Sequence, residues 1–286
     1  MTPDRPLVRY ERDGPVAVLT IDHPPVNVLS GEVLVALSEA LGHAEGDRGA
    51  RVVVLKGAAE RAFAAGANIR EMAPMGPAEA RHHGRRGQGV TVTIEELPLP
   101  VIAAVHGSCL GGGTEIALAC DFIVASDDAV FGQPEINLGV MPGWGGTQRL
   151  PRRIGAARAR HWILTGRSVR APEALEQGLV DQVVPRAELD RAARGLADEL
   201  SQKSSTALAA AKYALNHALD PGREADLAYE LELWSRLFGT PDQKAGMQAF
   251  LEKRSWNPGD RENWDRLSEG FPWASSPPPP GAKRKN

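Results

Sequence analysis

The chain has 286 residues, 42% of them hydrophobic, enough to bury a sizeable core in one large domain or two small ones. Its 33 basic and 36 acidic residues leave a net charge of -3, and neither sign forms a long block, so charge alone announces neither a nucleic-acid nor a membrane partner. The amino terminus "MTPDRPLVRYERDGP" places charge and proline where a signal peptide needs an apolar centre, and no apolar run approaches the ~18 residues of a membrane span, which predicts a soluble, cytoplasmic protein.

In chain order, "VAVLTI" (16–21), "RVVVLKG" (51–57) and "VIAAVHG" (101–107) are short β-branched runs that end near Gly or Pro, as buried strands do. Between the first two, Val33, Leu34, Leu37 and Leu41 recur at helical spacing behind Ser30, an N-cap candidate. Residues 77–96 read as a more polar but continuous helix. Strand, helix, strand with crossovers longer than about ten residues requires parallel pairing with helices packed outside, so the fold class is α/β. Cys109 and Cys120 lie in or beside apolar runs, as reduced core thiols do, and no disulfide framework is predicted.

From about residue 146 strands nearly vanish. "EALEQGLVDQVV" predicts a helix ending near Gly178 and one short extended piece, and 186–254 reads as three helices. The last has the clearest start, with Thr240 as N-cap, Pro241 in the first turn and Gln243 as the reciprocal residue of a capping box. Beyond Arg254 the chain becomes "SWNPGDRENWDRLSEGFPWASSPPPPGAKRKN". The proline run and basic end suit either a solvated extension or a recognition tail. Trp256, Trp264 and Trp273 are unusual in pure disorder and suggest that part of this tail packs on the body or on a neighbouring subunit.

The stretch "GGGTE" (111–115) does not fit phosphate binding: no Gly-Lys-Ser/Thr follows it, and the G-x-G-x-x-G spacing breaks at Ile116. Its glycines sit between the strand "VIAAVHG" and the helix "TEIALAC", where backbone N–H groups at a helix start can meet a ligand that gains negative charge. "AFAAGANIREM" (62–72) repeats the pattern around Gly66, after the strand "RVVVLKG". One N–H from each loop would make a two-donor oxyanion hole; both loops also read as ordinary turns. Glu115 falls in the first turn of an apolar helix, a place for a capping carboxylate or a catalytic one. Glu135 follows "FGQP" on a loop that "NLGVMPGWGG" continues. Two carboxylates in different settings can hold different pKa values and divide acid and base work.

Four segments in order, "FAAGANIREM", "PVIAAVHGSCLGGGTEIALACDFIVAS", "FGQPEINLGVMPGWGGTQRLPRRIG" and "DQKAGMQAFLEKR", resemble the crotonase (enoyl-CoA hydratase/isomerase) superfamily over about residues 8–254, and the twenty-residue gap from Glu115 to Glu135 is that of its hydratases. The resemblance implies a spiral of βαβ-type turns (1–190), a helical C-terminal trimerisation region (191–254) and an additional tail (255–286), assembled as a homotrimer or a dimer of trimers. It implies that the backbone N–H groups of Ala67 and Gly112 bind a thioester oxygen, and that Glu115 and Glu135 add water syn across the C2–C3 double bond of a 2-enoyl-CoA. Glu115 is assigned to the water and Glu135 to C2. Coenzyme A is then part of the substrate and no cofactor or metal is expected. The resemblance further implies coenzyme A or acyl contacts from Val26, Val28, Ala65, Gly66, Asn68, Ile69, Trp144, Trp234 and Lys253. For Lys253 an exposed helix-end lysine, and for Trp234 plain packing, remain the alternatives. Asn68 stands where many members have Asp, and Trp144 where a small residue is common. A double-bond isomerase, which needs one carboxylate, is the nearest alternative activity; a non-catalytic coenzyme A- or RNA-binding homologue is another, against which stands the shortness of the basic cluster Lys283–Lys285.

Overall fold

The computed structural model describes residues 6–217, 231, 234–238 and 240–257. Trp264, Trp273, the proline run and Lys283–Lys285 therefore lie outside the described residues.

The β-branched runs form strands because each feeds two apolar layers at once. β2 (Val16–Ile21), β3 (Val52–Gly57), β5 (Val101–Val105), β7 (Phe122–Ser126) and β10 (Gln182–Val184) lie side by side in parallel. On one face Val53, Leu55, Ala103 and Val105 enter the main core; on the other Val52, Val54, Ile102 and Ala104 meet Leu189, Ala193 and Ala197 of the C-terminal helix Leu189–Ser201. A strand covered on both faces reads as an unbroken apolar run. β1 (Val8–Asp13), absent from the sequence-based reading, pairs antiparallel with β2 and completes the six-stranded sheet. Its "VRYERD" has the charges of an edge strand with a solvated side, which hides it from a search for apolar runs.

A second sheet runs beside the first. β4 (Ala62–Ala64), β6 (Ser108–Leu110) and β8 (Val130–Gly132) are parallel, and β9 (Ser168–Arg170) joins β8 antiparallel. The chain passes from β3 to β4, from β5 to β6 and from β7 to β8, so each turn of the expected spiral gives one strand to the large sheet and one to the small. This corrects the sequence reading at one point: "VIAAVHG" does not lead directly into the glycine-rich helix start. The chain reverses at Gly107, with φ at +54° and room for no side chain, since a Cβ there would lie 2.3 Å from the Arg61 carbonyl oxygen. β6 then intervenes. "AFA" of the second loop is likewise strand β4.

Helices cover these sheets. α1 (Gly31–Gly46) starts where expected, with the Ser30 hydroxyl accepting the Val33 N–H, and buries Val33, Leu34, Leu37 and Leu41. α2 (Ile69–Met72) and α3 (Pro77–Glu96) lie between β4 and β5, and α4 (Gly112–Ala119), between β6 and β7, is buried at every residue. α5 (Gly146–Ile154), α6 (Ala156–Thr165) and α7 (Ala171–Glu176) follow. α8 (Leu189–Ser201) spans the 190/191 boundary and packs on the large sheet, and α9 (Ser205–His217) comes next. In the last described helix, Pro241–Leu251, the Thr240 hydroxyl accepts the Gln243 N–H, but the return half of the box is missing because the Thr240 N–H already donates to Leu237. The Trp256 ring lies against Gly246 of that helix.

Candidate active site

The small sheet brings two chain turns together. The Leu29 N–H donates to the Gly66 carbonyl at 2.8 Å and the Ala65 N–H to Val26 at 3.1 Å, so residues 26–29 run alongside 65–67. Gly66, at φ +93°, is so near the next turn that a Cβ on it would lie 2.9 Å from the Leu110 oxygen and 3.7 Å from the Gly112 nitrogen. Only glycine tolerates both the left-handed backbone and the close approach. Gly112 opens α4, where N–H groups have no helical acceptor. Among the described residues neither the Ala67 nor the Gly112 N–H donates to another backbone group. Two neighbouring N–H groups without a backbone acceptor, one at a helix start, are the arrangement an oxyanion hole requires.

Glu115 lies three residues into the same helix and is 2% exposed. A buried carboxylate is costly unless donors meet it, and here the Trp144 and Gly146 N–H groups both donate to Oε1, at 2.7 and 2.8 Å. Burial pushes its pKa above the ordinary carboxylate value; the two N–H bonds and the Arg149 guanidinium oppose that shift without cancelling it. The donors come from the turn that opens α5. That turn is itself fixed: the Trp144 carbonyl accepts from Thr91 Oγ1 and Arg149 Nη1, each at 2.9 Å, and Arg149 makes a two-pronged pair with Glu95.

Glu135 reaches the site from another turn of the spiral. The Thr114 hydroxyl lies between the carbonyls of Cys109 (2.5 Å) and Gly132 (2.9 Å), and the Gly111 N–H donates to Gly132 at 2.9 Å, tying the start of α4 to the end of β8. The chain then enters a short 3₁₀ turn, Pro134–Leu138, that holds Glu135. A Cβ on Gly111 would lie 3.1 Å from Glu135 Oε1. The fully buried Gln133 carboxamide, with its nitrogen toward the carboxylate, donates to both Glu135 oxygens at 3.1 and 3.0 Å. Burial, with help from the charge of Glu115, pushes the Glu135 pKa up to about 7. The charge of each carboxylate thus disfavours ionisation of its neighbour.

Of the other residues singled out from the sequence, Val26, Val28, Ala65 and Gly66 border the first of these turns. Asn68 caps α2 by accepting the Arg70 N–H and also bonds Glu71, while Ile69 is exposed. Trp144 is buried at the site. Trp234 and Lys253 are not joined to it by any contact among the described residues: Trp234 is exposed and meets Phe238 edge-on at 4.6 Å, and Lys253 is exposed just past the last described helix. Sequence reasoning missed Thr91, Thr114, Gln133 and Arg149. A polar residue flanked by a strand and a Pro-Glu turn is the signal Gln133 carried; the others work through partners far away in the chain.

The chain matches the family model for "Enoyl-CoA hydratase/isomerase" over residues 11–261. It belongs to the enoyl-CoA hydratase/isomerase family. Within that family it is 43% identical to the "Short-chain-enoyl-CoA hydratase" of Clostridium acetobutylicum over 248 residues, 86% of this chain and 95% of that one. To the "Crotonyl-CoA hydratase" of Syntrophomonas wolfei it is 39% identical, with 86% and 95% covered. The crystal structure of enoyl-CoA hydratase from Bacillus anthracis superposes with a TM-score of 0.83 at 38% identity, covering 88% of this chain and 98% of that one.

Proposed function

We propose that this chain is an enoyl-CoA hydratase, a hydro-lyase that adds water syn across the C2–C3 double bond of a 2-enoyl-CoA to give the 3-hydroxyacyl-CoA. The observation that carries the reading is the placement of two carboxylates with raised pKa values beside two unpaired N–H groups. The thioester oxygen binds at the Ala67 and Gly112 N–H groups, which stabilise the enolate as it forms; one such donor is worth about 2.7–4 kcal/mol in comparable sites. Glu115, whose Oε1 accepts two N–H bonds, orients a water and takes its proton as oxygen bonds to C3. Glu135, with a pKa of about 7, supplies the proton that closes the new C–H bond at C2. One O–H bond of water breaks, C–O and C–H bonds form, and the proton gained by Glu115 replaces the one lost from Glu135. No electrons change hands, so the reaction calls for no redox cofactor, and coenzyme A enters as part of the substrate.

The relatives named as hydratases support this reading over isomerisation, as does the presence of both carboxylates. Coenzyme A contacts from Val26, Val28, Ala65, Gly66, Asn68 and Ile69, with Lys253 near its phosphates, and Trp234 beside the pantetheine channel, belong to the same proposal. So does assembly as a homotrimer or a dimer of trimers, supported by the exposed apolar side chains of Leu215, Leu231, Trp234, Met247, Phe250 and Leu251. Among the described residues no helix is long and apolar enough to cross a membrane, and a cytoplasmic location is part of the proposal. The test is to mix the purified protein with crotonyl-CoA and follow the conjugated enoyl-thioester absorbance. A hydratase removes it and yields 3-hydroxybutyryl-CoA; an isomerase turning over only 3-enoyl-CoA would overturn the reading.

A further inference from the structure

Trp144 sits against both functional residues of α4. Gly112 and Glu115, three residues apart, share one helix face. The Trp144 N–H donates to Glu115 at 2.7 Å, and its six-membered ring covers Gly112 so closely that a Cβ there would lie 2.3 Å from Cζ3. The other side of the indole enters α3, where a Cβ on Gly87 would be 2.2 Å from Cδ2 and Cε2. A glycine inside a helix costs roughly 0.5–1 kcal/mol relative to alanine, and here its missing methyl is the space the indole occupies. His83, one turn earlier in α3, backs the ring with centroids 5.7 Å apart. The residue is 4% exposed. It is also anchored through its own peptide, whose carbonyl accepts from Thr91 and Arg149, while Gln88 Nε2 donates to the Gly143 carbonyl at 2.9 Å. A side chain gripped on backbone and ring is a fixed wall and not a lid.

We infer that the Trp144 indole is the end wall of the acyl pocket and restricts this enzyme to short-chain 2-enoyl thioesters. The inference rests on the hydratase reading for the pose of the substrate. With the thioester oxygen at Gly112 and C3 at Glu115, the acyl chain runs along the face of α4 that the indole covers, and carbons beyond C4 meet the ring. One methylene more or less in such a pocket changes kcat/KM by about 10–200-fold.

The experiment compares crotonyl-CoA with trans-2-decenoyl-CoA as substrates, and butyryl-CoA with decanoyl-CoA as ligands in titration calorimetry, for the wild type, Trp144→Ala and Trp144→Leu. The expected wild type prefers the four-carbon substrate by at least about tenfold, and Trp144→Ala raises the ten-to-four-carbon ratio of kcat/KM, and of affinity, by at least about tenfold. Ratios taken within one preparation are insensitive to a variant that folds only in part. Trp144→Leu, closer in volume, should shift the ratios in the same direction by less and serves if the alanine variant does not fold. Equal wild-type use of both lengths, or ratios unmoved by both substitutions, would overturn the wall and leave the hydratase reading standing. A wild type that binds butyryl-CoA over decanoyl-CoA, loses that preference in the variants, yet hydrates neither enoyl-CoA would support the wall and overturn the hydratase reading.

Discussion

The two glutamates differ in how they are held. Glu115 belongs to a helix buried at every residue, and two backbone donors from the turn that opens α5, pinned to α3, fix one of its oxygens. Glu135 rides on a 3₁₀ turn, partly open to solvent, and its carboxylate is met by the Gln133 side chain and its own backbone N–H. Both have raised pKa values, but Glu115 has compensation for its charge and Glu135 has little. For the proposed reaction the contrast fits a division of labour in which Glu115, with N–H donors in place, accepts a proton and Glu135, near pKa 7, gives one.

The largest expected effect comes from removing either member. Glu115→Gln and Glu135→Gln should each lower kcat on crotonyl-CoA by about 10² to 10⁴. Groups that act as a unit are not additive, so the double variant should be little worse than the poorer single one. Rates for the double variant equal to the product of the two single losses would show that the carboxylates act independently. Next in size is Gly112→Ala. Its Cβ would lie 2.3 Å from the Trp144 ring at the start of α4, and displacing that donor should cost about 10² to 10³ in kcat, with far-UV circular dichroism unchanged. Wild-type turnover in this variant would remove Gly112 from the site.

How much of this was legible in the sequence differs between the two regions. Most of the parallel sheet could be read because strands buried on both faces are continuous β-branched runs, although β7 was missed between the glycine-rich helix and the loop of Glu135. The small sheet could not, because β4, β6 and β8 have three residues each and their side chains resemble loop composition. The pair of glutamates and the glycine turns could be singled out as candidates from residue type and position, and the motif resemblance joined them into one site. The parts that tune them did not: Arg149 acts through Glu95 and the Trp144 carbonyl, and Thr114 through Gly132, across separations that no local pattern encodes. The fit of Trp144 against Gly87 is also a relation between distant residues, and neither is informative alone.

A smaller effect sharpens the assignment of roles. Gln133 donates to the ionised form of Glu135 and so holds its pKa down. If Glu135 is the acid, kcat/KM falls as the pH rises through about 7 and the group loses its proton. Replacing Gln133 by Leu then moves this alkaline limb upward, by about one unit, and leaves the acid limb, set by ionisation of Glu115, nearly in place. Movement of the acid limb alone would reverse the two roles.

The smallest effect is on stability and separates the compensated carboxylate from the uncompensated one. The Glu135 pKa is raised in the folded state, from 4.5 to about 7, chiefly by burial. Between these values the folded protein holds a proton that the unfolded chain has released, so stability falls with rising pH. The protonated group carries no penalty below about pH 4.5, and the full penalty is present once the pH exceeds 7. Glutamine cannot ionise. Glu135→Gln should therefore gain on the wild type in thermal or urea unfolding as the pH rises from 5 to 8, by about 1–2 kcal/mol after allowing for partial exposure. A difference between variant and wild type that stays constant across this range would mean that Glu135 ionises freely in the folded protein. The raised pKa that makes it a proton donor would then be absent, and the asymmetry between the two glutamates with it.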